Sequence, residues 1–388
     1  MTSPLHQRFT TTSPAGLRHD SVPMRLYREA RRLGGWDPQT IDFQEDARDW
    51  ARLGPAERDL LLRLTALFQA GEEGMTFDLV PLLVAVGRER RLEDELFLTT
   101  VLADEAKHTE FFRRFLDEVC RWEQDLHAYH TPSFRRLFYE ELPRAMGRLL
   151  DDPSPEAQAE ALVTYTLIGE GVLSETGHHL YAETLRRHRL MPGLLQGLVS
   201  VQRDEARHLE YGVFALTRLV AAAPEAGAAA DRRMDALLPE ALGVVNEFFT
   251  AYDPVPFGLS VDGFASFALA RFAARTARLE EARALGPAAA APDPAIAAVR
   301  AWVEGEVRPA VVRVTFEATS GVYVFAAGRA DGGDAALLVS REVLARHSPP
   351  DVIAALEAAR AGARLRTERG LRLFCVLAGG RIVVQPPG

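Results

Sequence analysis

Asp104-Glu105-Ala106-Lys107-His108 and Asp204-Glu205-Ala206-Arg207-His208 are one pattern, D-E-A-[KR]-H, written twice, one hundred residues apart. On an α-helix, positions i and i+3 share a face with their Cβ atoms about 5 to 6 Å apart. Glu105 and His108 can therefore offer a carboxylate and an imidazole to one point, as can Glu205 and His208. A single Glu-x-x-His pair says little, since Glu175 and His178 make a third. The repeated Asp, Ala and basic residue, set in two long apolar-periodic segments, separates these copies from coincidence. They read as two halves of one metal site.

A site of this kind is built in a four-helix bundle in which two helices give Glu-x-x-His and two give one Glu each. Two further glutamates are then required, one ahead of each pair. Glu72, in Phe-Gln-Ala-Gly-Glu-Glu-Gly-Met-Thr, and Glu170, in Thr-Tyr-Thr-Leu-Ile-Gly-Glu-Gly, sit in otherwise apolar helical runs. Four buried carboxylates repel one another and each loses hydration. Two divalent cations would balance them.

Working outward, 388 residues exceed one ordinary domain, so two are expected. Hydrophobic residues at 47% and charged residues at 26% are those of a soluble globular chain. A formal charge of -9 carries no basic footprint for nucleic acid. Cys120 and Cys375 are the only cysteines, so no disulfide framework is implied and a reducing cytoplasm is the natural compartment. Residues 1–22, rich in Ser, Thr and Pro, lack a secretory-signal pattern and read as a flexible arm. No apolar run is long enough for a membrane span.

A short helix from Met24 to Leu33 and a second amphipathic start near Phe43 precede the bundle, with packing as their expected role. The bundle helices are expected at about Pro55–Leu83 with Glu72, Leu92–Trp122 with the first pair, Glu156–Arg187 with Tyr165 and Glu170, and Pro192–Val220 with the second pair. His127 to Leu150 reads as a connecting crossover ending in the turn signal Asp151-Asp152-Pro153-Ser154-Pro155. Helices at Arg232–Tyr252 and Val261–Leu285 complete a helical domain over 23–285. The Pro- and Ala-rich stretch from Gly286 marks a linker over 286–298. Beyond it, over 299–388, Val311–Ala318, Gly321–Ala327, Ala335–Ser340, Leu371–Leu377 and Arg381–Val384 read as strands around one helix, Pro350–Ala361. This small α+β domain shows no recognisable ligand cluster.

The stretches Phe-Gln-Ala-Gly-Glu-Glu, Leu-Glu-Asp-Glu-Leu-Phe-Leu-Thr-Thr, Asp-Glu-Ala-Lys-His, Pro-Gly-Leu-Leu-Gln-Gly and Asp-Glu-Ala-Arg-His resemble the ligand-binding oxidases related to the ribonucleotide reductase small subunit. The resemblance spans nearly all of residues 1–285 and implies a mainly α fold, a ferritin-like four-helix bundle core with accessory helices, followed here by the α+β domain. It implies that Glu72, Glu105, His108, Glu170, Glu205 and His208 bind one manganese and one iron, with an iron pair as the alternative. It further implies that a long-chain fatty-acid-like ligand binds beside the metals, that dioxygen is reduced there, and that the chain forms a homodimer.

Carboxylate oxygens with one imidazole per metal suit manganese and iron, though zinc competes well for such ligands. Asp104 and Asp204 are placed to accept the second N–H of the histidine opposite, an arrangement that fixes the tautomer. A solvated helix position is the equal alternative for both. Tyr165 stands where the oxidases have a tyrosine that becomes ether-linked to a valine, and Met75 stands at the valine position. Absence of the link is expected, leaving a site freer to oxidise an added substrate. His178 replaces a second pocket tyrosine; pocket lining, proton donation and packing are open to it, with packing or solvent contact favoured. Glu175, about 140° around the helix from Glu170, reads as structural. Phe112, one turn past His108, stands where radical-forming reductase subunits carry tyrosine. The continuation into a β-rich module also departs from the flexible reductase tail.

The expected activity is therefore a dimetal-carboxylate oxidase or oxygenase that activates dioxygen to oxidise an apolar, fatty-acid-like molecule. A ribonucleotide reductase small subunit and a non-catalytic metal-binding ferritin-like protein are the alternatives.

Overall fold

Apolar residues recurring every three or four positions dominate the first three quarters of the chain, and the computed structural model folds that part into packed helices. It describes residues 9–12, 16–285, 294–307, 311–317, 322–328, 335–368, 371–378 and 381–386. Two compact units result, Met1–Ala290 and Ala291–Gly388.

In the first unit α1 (Val22–Leu33) and α2 (Gln44–Arg52) precede α3 (Pro55–Asp78). The expected helix to Leu83 is broken at Leu79, and α4 (Val80–Arg88) starts anew. Pro81 explains the break, because it has no N–H to offer the preceding turn. Helix α5 (Leu92–Arg114) runs on as a π-helical turn, Phe115–Cys120, and stops at Arg121 in the left-handed conformation. The stretch expected as a connection is itself helical: α6 (Pro132–Arg135), a π-helical turn (Arg136–Glu141) and α7 (Leu142–Arg148). Its aromatic residues Phe134 and Phe138 stack on each other across one helical turn.

Helix α8 (Pro155–Leu162), capped by Ser154, passes through a twelve-residue π-helical segment, Val163–Ser174, into α9 (Glu175–His188). Helix α10 (Pro192–Ala222) carries the second pair. Its first turn is capped from a distance: Asp46 of α2 accepts from the N–H of Gly193 (2.9 Å) and of Leu194 (2.7 Å), and Asp49 from that of Met191 (2.8 Å). The segment near Phe43 thus does more than pack; it terminates the dipole of a metal-site helix with buried carboxylates. Helix α11 (Pro224–Phe249) begins eight residues before the expected Arg232, since Pro224 starts it and the alanine-rich stretch that follows is a strong helix former. Helix α12 (Val261–Leu285) closes the unit.

Residues 1–8 and 13–15 of the expected flexible arm lie outside the described residues. Its later part is tethered: Arg18 donates its backbone N–H (2.8 Å) and its guanidinium (3.1 Å) to Glu93 at the start of α5. Among the described residues no helix is long and apolar enough to cross a membrane.

The second unit opens with α13 (Pro294–Glu306), so the expected linker over 286–298 is helical at its end; its earlier residues 286–293 lie outside the described ones. Strands β1 (Val311–Glu317), β2 (Val322–Gly328) and β3 (Ala335–Ser340) form an antiparallel meander. Three helices, α14 (Arg341–Arg346), α15 (Pro349–Ala358) and α16 (Ala361–Thr367), stand where one is expected, because Ser340 and Ser348 each cap a helix start and Arg360, in the left-handed conformation, separates α16 from α15. They return the chain to β4 (Arg372–Ala378), parallel to β3, and β5 (Arg381–Gln385) completes a sheet ordered β1-β2-β3-β4-β5. Val299 and Val303 of α13 and Val352 and Leu356 of α15 share a core with Phe325, Leu337 and Leu373 of the sheet.

Candidate metal centre

The two D-E-A-[KR]-H copies lie on α5 and α10, Glu72 on α3, and Glu170 in the π-helical segment. All six proposed ligands are buried. Ligand atoms of Glu72, His108 and Glu205 lie within 4.8 Å of one another, and so do those of Glu105, Glu170 and His208. Each group thus combines residues from three helices, and Glu105 and Glu205 reach across. His108 Nδ1 stands 3.3 Å from Glu72 and 3.7 Å from Glu105, while His208 Nδ1 stands 3.1 Å from Glu170 and 3.4 Å from Glu105.

A bulge in the helix shapes the third side. A π-helix closes its hydrogen bonds from i to i+5, which widens each turn and brings residues about five apart close to one face. Tyr165 and Glu170 therefore face the site together, where α-helical rotation would swing them apart. Tyr165 donates to Glu105 at 3.1 Å and lies 3.4 Å from the Met75 carbonyl oxygen. Met75 is buried, and its thioether lies against Gly169: a Cβ there would stand 3.5 Å from the sulfur.

The imidazoles are held crosswise. His108 Nε2 lies 3.4 Å from Asp204, and His208 Nε2 lies 3.4 Å from Asp104. Both aspartates are buried rather than solvated. Lys107 spans them at 2.7 Å and 3.2 Å, and Arg207 bonds both from the other side. Four of the five residues in each copy are thus used: Glu and His face the centre, while Asp and the basic residue form the charged layer behind it. Trp36, which no local pattern marks, donates its indole N–H to Asp204 at 2.7 Å and stacks beside His108.

His178 does more than pack. Although it stacks on Phe68, its Nδ1 is 3.2 Å from Glu205, and Ser174 donates to the other oxygen of Glu205 at 2.7 Å. Ser174, four residues after Glu170, lay outside the reading of the sequence. Glu175 turns away and pairs with Arg275, and Phe112 is buried against Phe68 with ring centroids 4.9 Å apart.

Protons replace cations in the electrostatics of the bare cluster. Burial lifts Glu72 well above the carboxylate range, against the pull of His108. Burial likewise lifts Glu170 to about 8, against His208. For Glu105, the attraction of the His108 and His208 imidazoles outweighs burial and holds it low. Both histidines are raised, since their carboxylate partners outweigh burial. Two buried atoms aimed at the cluster still have no hydrogen-bond partner, His108 Nδ1 and Glu170 Oε2. A lone pair on imidazole and a free carboxylate oxygen are metal-ligating atoms, so the donor set fits two divalent cations.

Above the carboxylates lies an apolar cavity of about 810 Å³ including its mouth. Leu64, Phe68, Met75, Leu180, Val245 and Phe248 wall it, and Glu72, Glu105, Glu170 and Glu205 form its polar end.

Residues 24–272 match the model of the family described as ribonucleotide reductase, small chain. The chain belongs to that family. Among solved structures of family members it is similar to variants of an R2-like ligand-binding oxidase. One with an aerobically reconstituted Mn/Fe cofactor is 36% identical, with a TM-score of 0.68 over 70% of this chain and 99% of that one. Another with an anaerobically reconstituted Mn/Fe cofactor is 37% identical, with a TM-score of 0.67 over 70% of this chain and 98% of that one. The ferritin-like fold expected of the first unit is thereby shown.

Proposed function

We propose that the chain is a dimetal oxidase that uses a Mn/Fe pair to reduce dioxygen and oxidise a long-chain, fatty-acid-like molecule. The observation that carries this reading is the shared wall: four glutamates that can hold metal end an otherwise apolar cavity. An acyl chain removed from water by such a wall gains about 0.8 kcal/mol per buried CH₂. Its carboxylate would meet the cations.

When bound, the metal pair supplies the electrons for dioxygen reduction. Asp104 and Asp204 fix the histidine tautomers so that Nδ1 stays free for metal. Tyr165 and Ser174 each donate a hydrogen bond that orients a carboxylate, to Glu105 and Glu205. The aromatic and aliphatic wall excludes water from the reacting end of the ligand. Tyr165 remains without a covalent link to residue 75, because Met75 presents a thioether where a branched aliphatic carbon would be needed. Phe112 offers no phenol to hold a radical, which disfavours a reductase small subunit of the tyrosyl-radical type. We place the protein in the cytoplasm as a homodimer, the compartment suited to its free Cys120 and Cys375.

The test is dioxygen consumption by protein loaded anaerobically with manganese and iron, with and without palmitate, followed by mass analysis of the lipid. Oxidised palmitate supports the reading. Consumption without any change in lipid or protein would contradict it.

A further inference from the structure

A second opening reaches the same carboxylates between α9, α10 and α12. Positions 175, 178, 182 and 186 of α9 and 202, 205, 206 and 209 of α10 recur at three- and four-residue spacing, one facing stripe per helix. Helix seams usually fill such stripes with large apolar side chains. Here Ala182 and Ala206 leave room, and His178 and Gln202 line what remains, a polar cleft of about 850 Å³ including its mouth. Phe267 and Arg271, one turn apart on α12, wall its other side. Its inner end is Glu170 and Glu205, which also end the apolar cavity, whereas His178 and Arg271 line only the cleft.

Four atoms in these walls are buried and without a hydrogen-bond partner: Arg271 Nε and His178 Nε2, and on the acidic side Glu170 Oε2 and Glu175 Oε2. Their chemistry differs. Arg271 Nε can only donate. His178 Nδ1 lies 3.2 Å from Glu205, so Nε2 is the ring nitrogen left for an occupant. An occupant that satisfies Arg271 and His178 brings an acceptor to Arg271 and a hydroxyl, which can donate or accept, to His178 Nε2. Exposed Arg186 adds positive charge at the rim, and the acidic wall residue Glu175 meets Arg275 through Oε1 and faces the Arg271 guanidinium at 3.6 Å through Oε2.

We propose that this cleft binds a small hydroxycarboxylate, its carboxylate toward Arg271 and Arg186 and its hydroxyl toward His178. It gives a water-soluble molecule its own route to the metal pair. The site rests on the dimetal reading, since cations bound at Glu170 and Glu205 would attract an anion to the inner end of the cleft. Binding therefore follows metal loading, and by reciprocity the occupant slows metal loss.

Glycolate, with acetate as its counterpart lacking the hydroxyl, is the probe, and the readout is paramagnetic relaxation of its protons by the full-length chain loaded with manganese and assayed for metal. Saturable enhancement is expected, about tenfold weaker affinity for acetate, and a loss of about tenfold or more in Arg271→Gln with partial recovery in Arg271→Lys. Arg186→Gln, at an exposed rim position, gives a smaller loss and covers the case that Arg271→Gln fails to fold. Gly71→Leu, which narrows the apolar cavity, leaves glycolate binding unchanged. No saturable enhancement at full manganese content would mean that water alone fills the cleft and would overturn the proposal. Enhancement lost in Gly71→Leu but kept in Arg271→Gln would overturn it too, by routing glycolate through the apolar cavity. A folded chain that takes up no manganese would overturn the dimetal reading itself, and the metal assay tells that result apart.

Discussion

His108 on α5 is held by Asp204 on α10, with Nε2 3.4 Å from the carboxylate oxygen, and His208 is held in the same way by Asp104. Each imidazole thus depends on the helix that carries the other. Asp204→Asn removes the charge that favours the Nε2–H tautomer and leaves Lys107 and Arg207 short of a partner. A loss of about tenfold to a hundredfold in metal affinity is expected, with the helical circular dichroism retained. Competition against a chelator measures it.

Metal affinity also depends on pH. Glu72 and Glu170 are raised by burial, Glu170 to about 8, so protons must leave before cations bind. Affinity rises from pH 6 to pH 8. The bare fold shows the opposite trend. A carboxyl raised from 4.5 binds more protons folded than unfolded between 4.5 and about 8, so stability falls as pH rises through that window. The raised histidines contribute in the same direction, their stabilisation being present below the unfolded value of 6.5 and lost as pH rises through the folded one. Glu105 and Asp204, both lowered, act only in acid, where stability is lost as pH falls below their unfolded values. The metal-free chain should melt about 4 °C or more higher at pH 6 than at pH 8. Thermal melts with and without metal check both signs.

Much of the ligand set could be read because i, i+3 geometry is local: Glu105 with His108, and Glu205 with His208, need only a helix. Glu72 and Glu170 followed from charge and topology. The supporting shell was less accessible. Trp36 meets Asp204 across 168 residues, and Ser174 reaches Glu205 because the π-helical turn reorients it. An apolar run such as Val163–Ser174 hides its helical period, since nearly every side chain in it is buried. Lys107 and Arg207 were visible as a basic residue repeated in the two copies, but their role needs both helices at once.

Close approach of α5 and α10 depends on Gly197. A Cβ there would overlap the Phe111 ring, which is fully buried and cannot withdraw. Gly197→Ala is expected to destabilise the fold by about 1–3 kcal/mol, read from denaturant midpoints.

The apolar cavity should be separable from the metals. A Cβ at Gly71 stands 3.7 Å from the Phe138 ring, an ordinary contact, and a larger side chain would extend into the cavity. Gly71→Leu should keep full metal content yet lose most of the thermal shift that palmitate gives the parent.

Aerobic loading should leave Tyr165 and Met75 in separate peptides after proteolysis. Met75→Val restores a branched carbon at this position, and a linked pair of peptides lighter by two hydrogens is expected in that variant alone. Peptide mass mapping of the two proteins decides it.

The most direct measurement is metal content per chain after purification from cells supplied with both manganese and iron. One of each is expected, falling together in Glu105→Ala and in Glu205→Ala. A folded chain that carries no metal under those conditions would contradict the account.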